Sequence, residues 1–283
     1  MTRSLLLLSL ASLAACIGES PAPEETGSDS GKVALPESTP RILMHEMFTG
    51  STCGPCFDAD ALVVDVLDAN PGEYNLISYQ VGSDPYVSSE SVSRRMYYLP
   101  GESSYSIPYL HVDGVHQLHP VEYNDDAGYT QADFDEFQSE PSHVQLSVSH
   151  MVTGQTVEFS VEILPLSDVE SEKLVLHAAI IEGVTYNNVG TNGQTEFHHV
   201  MKKMVPDADG TPLDPLVREE SLTLDLSYTF QGDYSSETGF SDPVDHDVEH
   251  TVEEFEDLSV MVWIQEVDSW QIHQSAWSAE AHR

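Results

Sequence analysis

The sequence predicts an α/β domain over residues 41–140 followed by an all-β, antiparallel, sandwich-like domain over residues 142–283. Two observations carry this. Between Arg41 and Gln138 strand-like and helix-like stretches alternate, and from His143 the pattern changes to apolar residues at every second position. A length of 283 residues accommodates two domains.

Residues 1–15 read as a lipoprotein signal peptide and stand outside the fold. Arg3 gives a basic start, and Leu5 to Leu13 is apolar but shorter than the ~20 residues needed to span a bilayer. The stretch ends in LAAC, which resembles the bacterial lipobox and implies cleavage before Cys16 and lipidation of that cysteine. Ile17 follows it rather than Asp, which implies the outer membrane of a Gram-negative cell envelope. Residues 16–40, rich in Pro, Ser, Gly and Glu, have little to bury and read as a disordered tether.

RILMHEMF, Arg41 to Phe48, is apolar enough for a buried strand. TGST then turns the chain, and Pro55 suits the first turn of a helix. Ala61, Val64 and Leu67 recur at helical spacing until NPG at 70–72 stops the helix. YNLISYQV, Tyr74 to Val81, reads as a second strand, parallel to the first because a helix connects them. A Ser-rich helix is expected between Val87 and Leu99. SIPYLHVDGVHQL supplies a hairpin turning at Asp113–Gly114. TQADFDEFQ is a helix capped by Thr130, with Phe134 and Phe137 on one face.

Beyond it, HVQLSVSHMV and QTVEFSVEIL alternate as a hairpin, and KLVLHAAIIEGV, ESLTLDLSYTF and LSVMVWIQEV add strands. Long loops run over 187–194 and 231–250, and Trp263 and Trp270 read as core and edge aromatics. With no cysteine, nucleophile–base spacing or phosphate loop visible here, residues from about 142 are expected to fold on their own without redox chemistry.

The chemistry concentrates in CGPC. Cys53 and Cys56 are three apart in a chain with one other cysteine, Cys16. Such a pair serves as a redox couple, half a metal site or a structural staple. The zinc reading needs two more ligands, and only His198–His199 and the pair in HDVEH lie close together. The staple remains open, because an oxidising compartment would close the pair. His111, His116 and His119 are expected to face solvent.

With CGPC at the first strand–helix junction and Ile107-Pro108 leading the hairpin, the chain resembles the thioredoxin superfamily. EMFTGSTCGPC, HVDG and HHVMKKMVPDADGT further resemble bacterial outer-membrane or periplasmic lipoproteins in which a thioredoxin-like domain precedes a β-rich one. The resemblance implies Cys53 as nucleophile near a helix N-terminus, where the macrodipole favours thiolate. It implies Cys56 as the resolving thiol and a cis peptide before Pro108, set against the sulfurs. Two departures stand out. Thr52 occupies a position usually held by tryptophan. Met47 occupies that of a buried acid, while Glu46 belongs to the opposite strand face.

Forty-eight acidic against ten basic residues give a net charge of −38, which excludes nucleic acid as a partner. DADG at Asp207–Gly210 starts like a calcium loop, but its twelfth position is Arg218 rather than a bidentate Glu. No cofactor and no metal is expected. The sequence points to a lipid-anchored thiol–disulfide oxidoreductase of the cell envelope. Its partners would be protein thiols or disulfides, an electron donor or acceptor, and the membrane through Cys16. The alternative is a surface binding or adhesion lipoprotein using a thioredoxin-like scaffold.

Overall fold

A computed structural model describes residues 34–99, 106–122, 128–237, 239 and 241–278. The signal peptide, Cys16 and the tether up to residue 33 lie outside them. The end of the expected tether is tied down: Thr39 exchanges two backbone hydrogen bonds with Ser142, at 2.8 and 2.9 Å.

β1, Leu43–Thr49, is buried along its whole length. Leu43 and Met47 face Ala59, Val63 and Leu67 of α1, Cys56–Asp68, while Met44 and Phe48 face the other way. β2, Tyr74–Gln80, runs parallel to β1 in the register Leu43–Tyr74 to Thr49–Gln80. α2, Ser89–Tyr97, starts at a capping box in which Ser88 and Ser91 satisfy each other's backbone N–H.

β3, Tyr109–Val112, lies antiparallel to β1, and β4, His116–Leu118, completes the hairpin. Asp113 and Gly114 turn it with φ of 47° and 76°. Positive φ at both central residues is what a tight hairpin of this hand requires. At Gly114 a Cβ would also lie 2.0 Å from the Trp270 carbonyl oxygen, so no side chain fits. α3, Gln131–Phe137, begins at a Thr130–Asp133 capping box and drives Phe134 into the core beneath α1.

β5, Val144–Thr153, and β6, Thr156–Pro165, form the expected hairpin. They are followed by β7, Leu174–Thr185; β8, Phe197–Met204; β9, Thr211–Leu213; and β10, Leu222–Thr229. The short β11, Asp233–Tyr234, and β12, Glu249–His250, precede β13, Leu258–Glu266, and β14, Ile272–Trp277.

These strands do not build a free-standing sandwich. β5, β6 and β10 form a three-stranded sheet and β11 and β12 a two-stranded one, but β7, β8, β13 and β14 continue the sheet of the first half, in the order β14-β13-β7-β8-β2-β1-β3-β4, with β9 beside β7. The junction is β8 against β2, with Ser78 opposite Val200. Where the sequence suggests a boundary near residue 142, one sheet therefore crosses it, and Leu35–Arg283 is one compact unit.

The physical reason was visible in composition. LVLHAAII, interrupted only by His177, and VMVWI are near-continuous apolar runs, the mark of strands covered on both faces, whereas sandwich edges alternate. Ile180, Val260 and Val262 pack beneath the three-stranded sheet; Ala179, Ile181, Met261 and Trp263 turn to the other side and join Met44, Phe48, Ile77 and Tyr79. β14 closes back toward the start of β1: Gln274 Oε1 accepts from Ile42 N at 2.9 Å, and Ser275 Oγ donates to the Ile42 carbonyl at 2.9 Å.

Inside this curl, α2 contributes a buried ion pair. Arg94 donates to both Glu46 carboxylate oxygens, at 2.6 and 2.9 Å, and also to Tyr98 and Gln265, each at 2.7 Å. Burial pushes the Glu46 carboxyl up, but the guanidinium and its hydrogen bonds hold it below the usual range. His111 belongs to this interior, contrary to the expectation of a solvent-facing ring. It is buried and stacks on Tyr98 with ring centres 3.8 Å apart, and burial lowers its pKa to about 4.

Candidate active site

The CGPC segment occupies the turn between the end of β1 and α1. Gly50 accepts from Cys53 N at 3.0 Å, and the Cys53 carbonyl accepts from Cys56 N at 3.2 Å. The regular helix begins at Cys56, with Pro55 as its cap residue. Cys53 therefore sits in the turn ahead of the helix rather than in its first turn. The two cysteines are disulfide-bonded, with Cα atoms 5.4 Å apart. Cys53 is half-buried beside an exposed Thr52, whereas Cys56 has no exposed surface. Of the two cysteines, only Cys53 has surface open to an incoming group.

Across from the sulfurs, the Ile107–Pro108 peptide is cis. Pro108 is buried, and Cys53 Sγ lies 3.5 Å from the Ile107 carbonyl oxygen. Cys53, Cys56 and Pro108, more than fifty residues apart at the extremes, thus meet at one end of the sheet. That carbonyl is an acceptor for a reduced Cys53 thiol. The Pro108 ring has no N–H to offer at the same point.

Met47 faces α1, and Glu46 points to the opposite side of the strand, as expected, where Arg94 neutralises it. The site nonetheless contains two carboxyls that the sequence reading did not single out. Asp60 stands four residues beyond Cys56 on α1, and residues at that spacing lie over one another, with Cβ atoms ~5–6 Å apart. Its carboxyl accepts from Thr49 Oγ1 at 3.0 and 3.2 Å and from Gln194 Nε2 at 3.1 Å. Burial raises its pKa to about 6 against these hydrogen bonds. Asp84, in the loop after β2, accepts from Ser51 N and Tyr86 N, each at 2.8 Å. Burial raises its pKa too, partly offset by those amides and by Lys202.

The spacing Cys56–Asp60 could have pointed to the first carboxyl. Nothing in GSDPY indicates that Asp84 is buried. Asp60 also lines a cavity of about 260 Å³ between α1, β2 and the start of β8, walled by Phe57, Val64 and Leu76. Among the described residues no three His, Cys, Asp or Glu side chains come together as a metal-ligand set. Nor is any helix there long and apolar enough to cross a membrane.

The order β1-α1-β2-α2-β3-β4-α3, with a Cys-x-x-Cys disulfide at the first strand–helix junction and a cis proline opposite, defines a thioredoxin-like α/β architecture, extended here by a β-rich half in the same sheet. No family model matches the chain, and no curated protein matches it in sequence. Its structure is similar to that of HBP35 of Porphyromonas gingivalis, with a TM-score of 0.62 and 12% identity over 88% of this chain and 80% of that one. It is also similar to protein AGR_C_4864 of Agrobacterium tumefaciens, with a TM-score of 0.53 and 15% identity over 88% of this chain and 98% of the other. A domain of the outer membrane lipoprotein Omp28 of P. gingivalis aligns with 48% of this chain and 87% of its own, at a TM-score of 0.30 and 12% identity. At such identities the first two likenesses establish a shared fold.

Proposed function

We propose that this chain is a lipid-anchored thiol–disulfide oxidoreductase of the cell envelope, with Cys53 attacking and Cys56 resolving. The observation that carries the reading is the asymmetry of the pair: a half-buried Cys53 joined to a fully buried Cys56, beside the Ile107 carbonyl and Pro108.

The exchange balances as follows. In the reduced protein the Cys53 thiolate attacks one sulfur of a protein disulfide. That disulfide breaks, and its departing thiolate takes up a proton. Cys56 then loses its proton and attacks Cys53 sulfur, which frees the second substrate thiolate and leaves the Cys53–Cys56 disulfide. Two electrons pass from the pair to the substrate, and a donor dithiol restores the pair by the same steps. Run in reverse, the oxidised pair takes electrons from a substrate dithiol. Asp60, one helical turn from Cys56 and with a pKa near 6, is the carboxyl placed to accept the Cys56 proton. The envelope location rests on the lipobox at Leu13–Cys16 and on the sequence resemblance.

Cys56→Ser leaves the first attack intact and removes the second, so mixed disulfides with envelope proteins accumulate. Cys53→Ser leaves only the buried thiol and traps nothing. Non-reducing electrophoresis of envelope extracts from cells expressing each variant reads the difference. Empty lanes for both variants favour a binding lipoprotein on a thioredoxin-like scaffold.

A further inference from the structure

Among the described residues, the loop joining β7 to β8 carries the hydrogen bonds from the β-rich half to the redox turn. Asn192 N donates to the Ser51 carbonyl at 2.9 Å, and Asn192 Nδ2 reaches the Gly50 carbonyl at 3.5 Å. Gln194 N in turn donates to Asn192 Oδ1 at 2.9 Å, which orients the side-chain amide toward Gly50. Gln194 Nε2 donates to Asp60 at 3.1 Å.

Gly190 lies flat against Ser51. A Cβ there would stand 2.4 Å from the Ser51 carbonyl oxygen and 2.7 Å from its Oγ, so only glycine permits the approach. From the other side, Asp84 takes the Ser51 N–H. Ser51, two residues before Cys53, is thus held at its amide by the first half of the chain and at its carbonyl by the second. Gly50, whose carbonyl also accepts from Cys53 N, is fixed with it.

We propose that the β7–β8 loop is a positioning clamp for the redox turn, with Gly190, Asn192 and Gln194 holding Cys53 against Cys56 and so favouring the closed disulfide over the open dithiol. The inference rests on the exchange reading, and it gives the β-rich half a part in that chemistry. The physical basis is proximity. Two thiols held in bonding geometry close far more readily than two thiols on a loose turn. Each hydrogen bond lost is worth ~1 kcal/mol, or about fivefold in an equilibrium constant.

The test is the oxidation equilibrium of the full chain in mixtures of reduced and oxidised dithiothreitol, with the alkylation rate of Cys53 in the reduced protein as a second readout. Asn192→Ala and Gly190→Ala are the variants. Thr191→Ala, exposed on the same loop, is the control. The clamp predicts that the disulfide opens about fivefold more readily or beyond in Asn192→Ala and Gly190→Ala, and that Thr191→Ala matches the parent. Where Gly190→Ala does not fold, Asn192→Ala and Gln194→Ala carry the measurement. Folded variants that stay within about twofold of the parent in both readouts overturn the clamp. Dithiothreitol reacts with any accessible disulfide, so this outcome is independent of whether Cys56→Ser traps envelope proteins, the test of the exchange reading itself.

Discussion

At Asp60 a single carboxyl records how the site is built. Its pKa near 6 lies above the ordinary carboxylate value of 3.8, and burial is the main cause. A carboxyl raised in this way contributes stability that is fully present below the unfolded-state value and is lost as pH rises through about 6. Asp60→Asn removes the cost of ionising in place while keeping an oxygen to accept from Thr49 or Gln194. It is expected to be more stable than the parent by about 1–3 kcal/mol at pH 7, with the difference fading as pH falls from 6 to below 4. Thermal unfolding of both proteins across that range checks it, and a difference independent of pH would contradict the assignment. Cys53, Cys56 and Pro108 were legible in the sequence because they form a motif with fixed spacing and context. Asp60 and Asp84 were not, since an isolated Asp in a strongly acidic chain reads as one more solvated charge.

Among the elements, α2 shows what propensity and pattern can and cannot give. Its start follows from the Ser88–Ser91 box, but its composition does not announce that Arg94 is its anchor. Arg94 has no exposed side-chain surface and pairs with an equally buried Glu46. An Arg in a Ser-rich helix ordinarily faces solvent, and nothing in SESVSRRMY marks Arg94 as buried. Breaking such a pair from one side leaves a charge with no partner and typically costs ~3–5 kcal/mol. Arg94→Met should lower stability by about that amount in denaturant titration, and adding Glu46→Gln should recover a substantial part. Equal losses in the single and double variants would show that Arg94 acts through packing rather than charge. β7 and β13 were legible as strands, and they pair within the second half, but their sheet continues into the first half through β8 and β2. Their near-continuous apolar runs indicate two covered faces, which a separate sandwich could not provide.

Over the whole molecule, the second half is the continuation of the first. Trp263 and Met261 from β13 and Ile181 from β7 complete the apolar interior begun by Met44, Phe48 and Tyr79. The β7–β8 loop brings the same half to the cysteines. Alternation and turn chemistry identified β5, β6, β7, β10 and β13 but not β8 or β14, and pairing between β2 and β8, more than a hundred residues apart, leaves no local signal. The fold of residues 41–140 was therefore readable from order and motif, and the way the rest joins it was not.

The central claim is that Cys53 and Cys56 exchange electrons rather than staple the fold. The reduction potential of the pair in the folded, full chain tests it most directly, measured by equilibration with thiol–disulfide buffers and by trapping the free thiols. Catalytic pairs span roughly −120 to −270 mV, while structural disulfides in secreted proteins typically lie below about −300 mV. The account predicts a reversible transition within the catalytic range, with Cys53 alkylated well ahead of Cys56 once the pair opens. A pair that stays closed below about −300 mV, or that opens only when the protein unfolds, would contradict it.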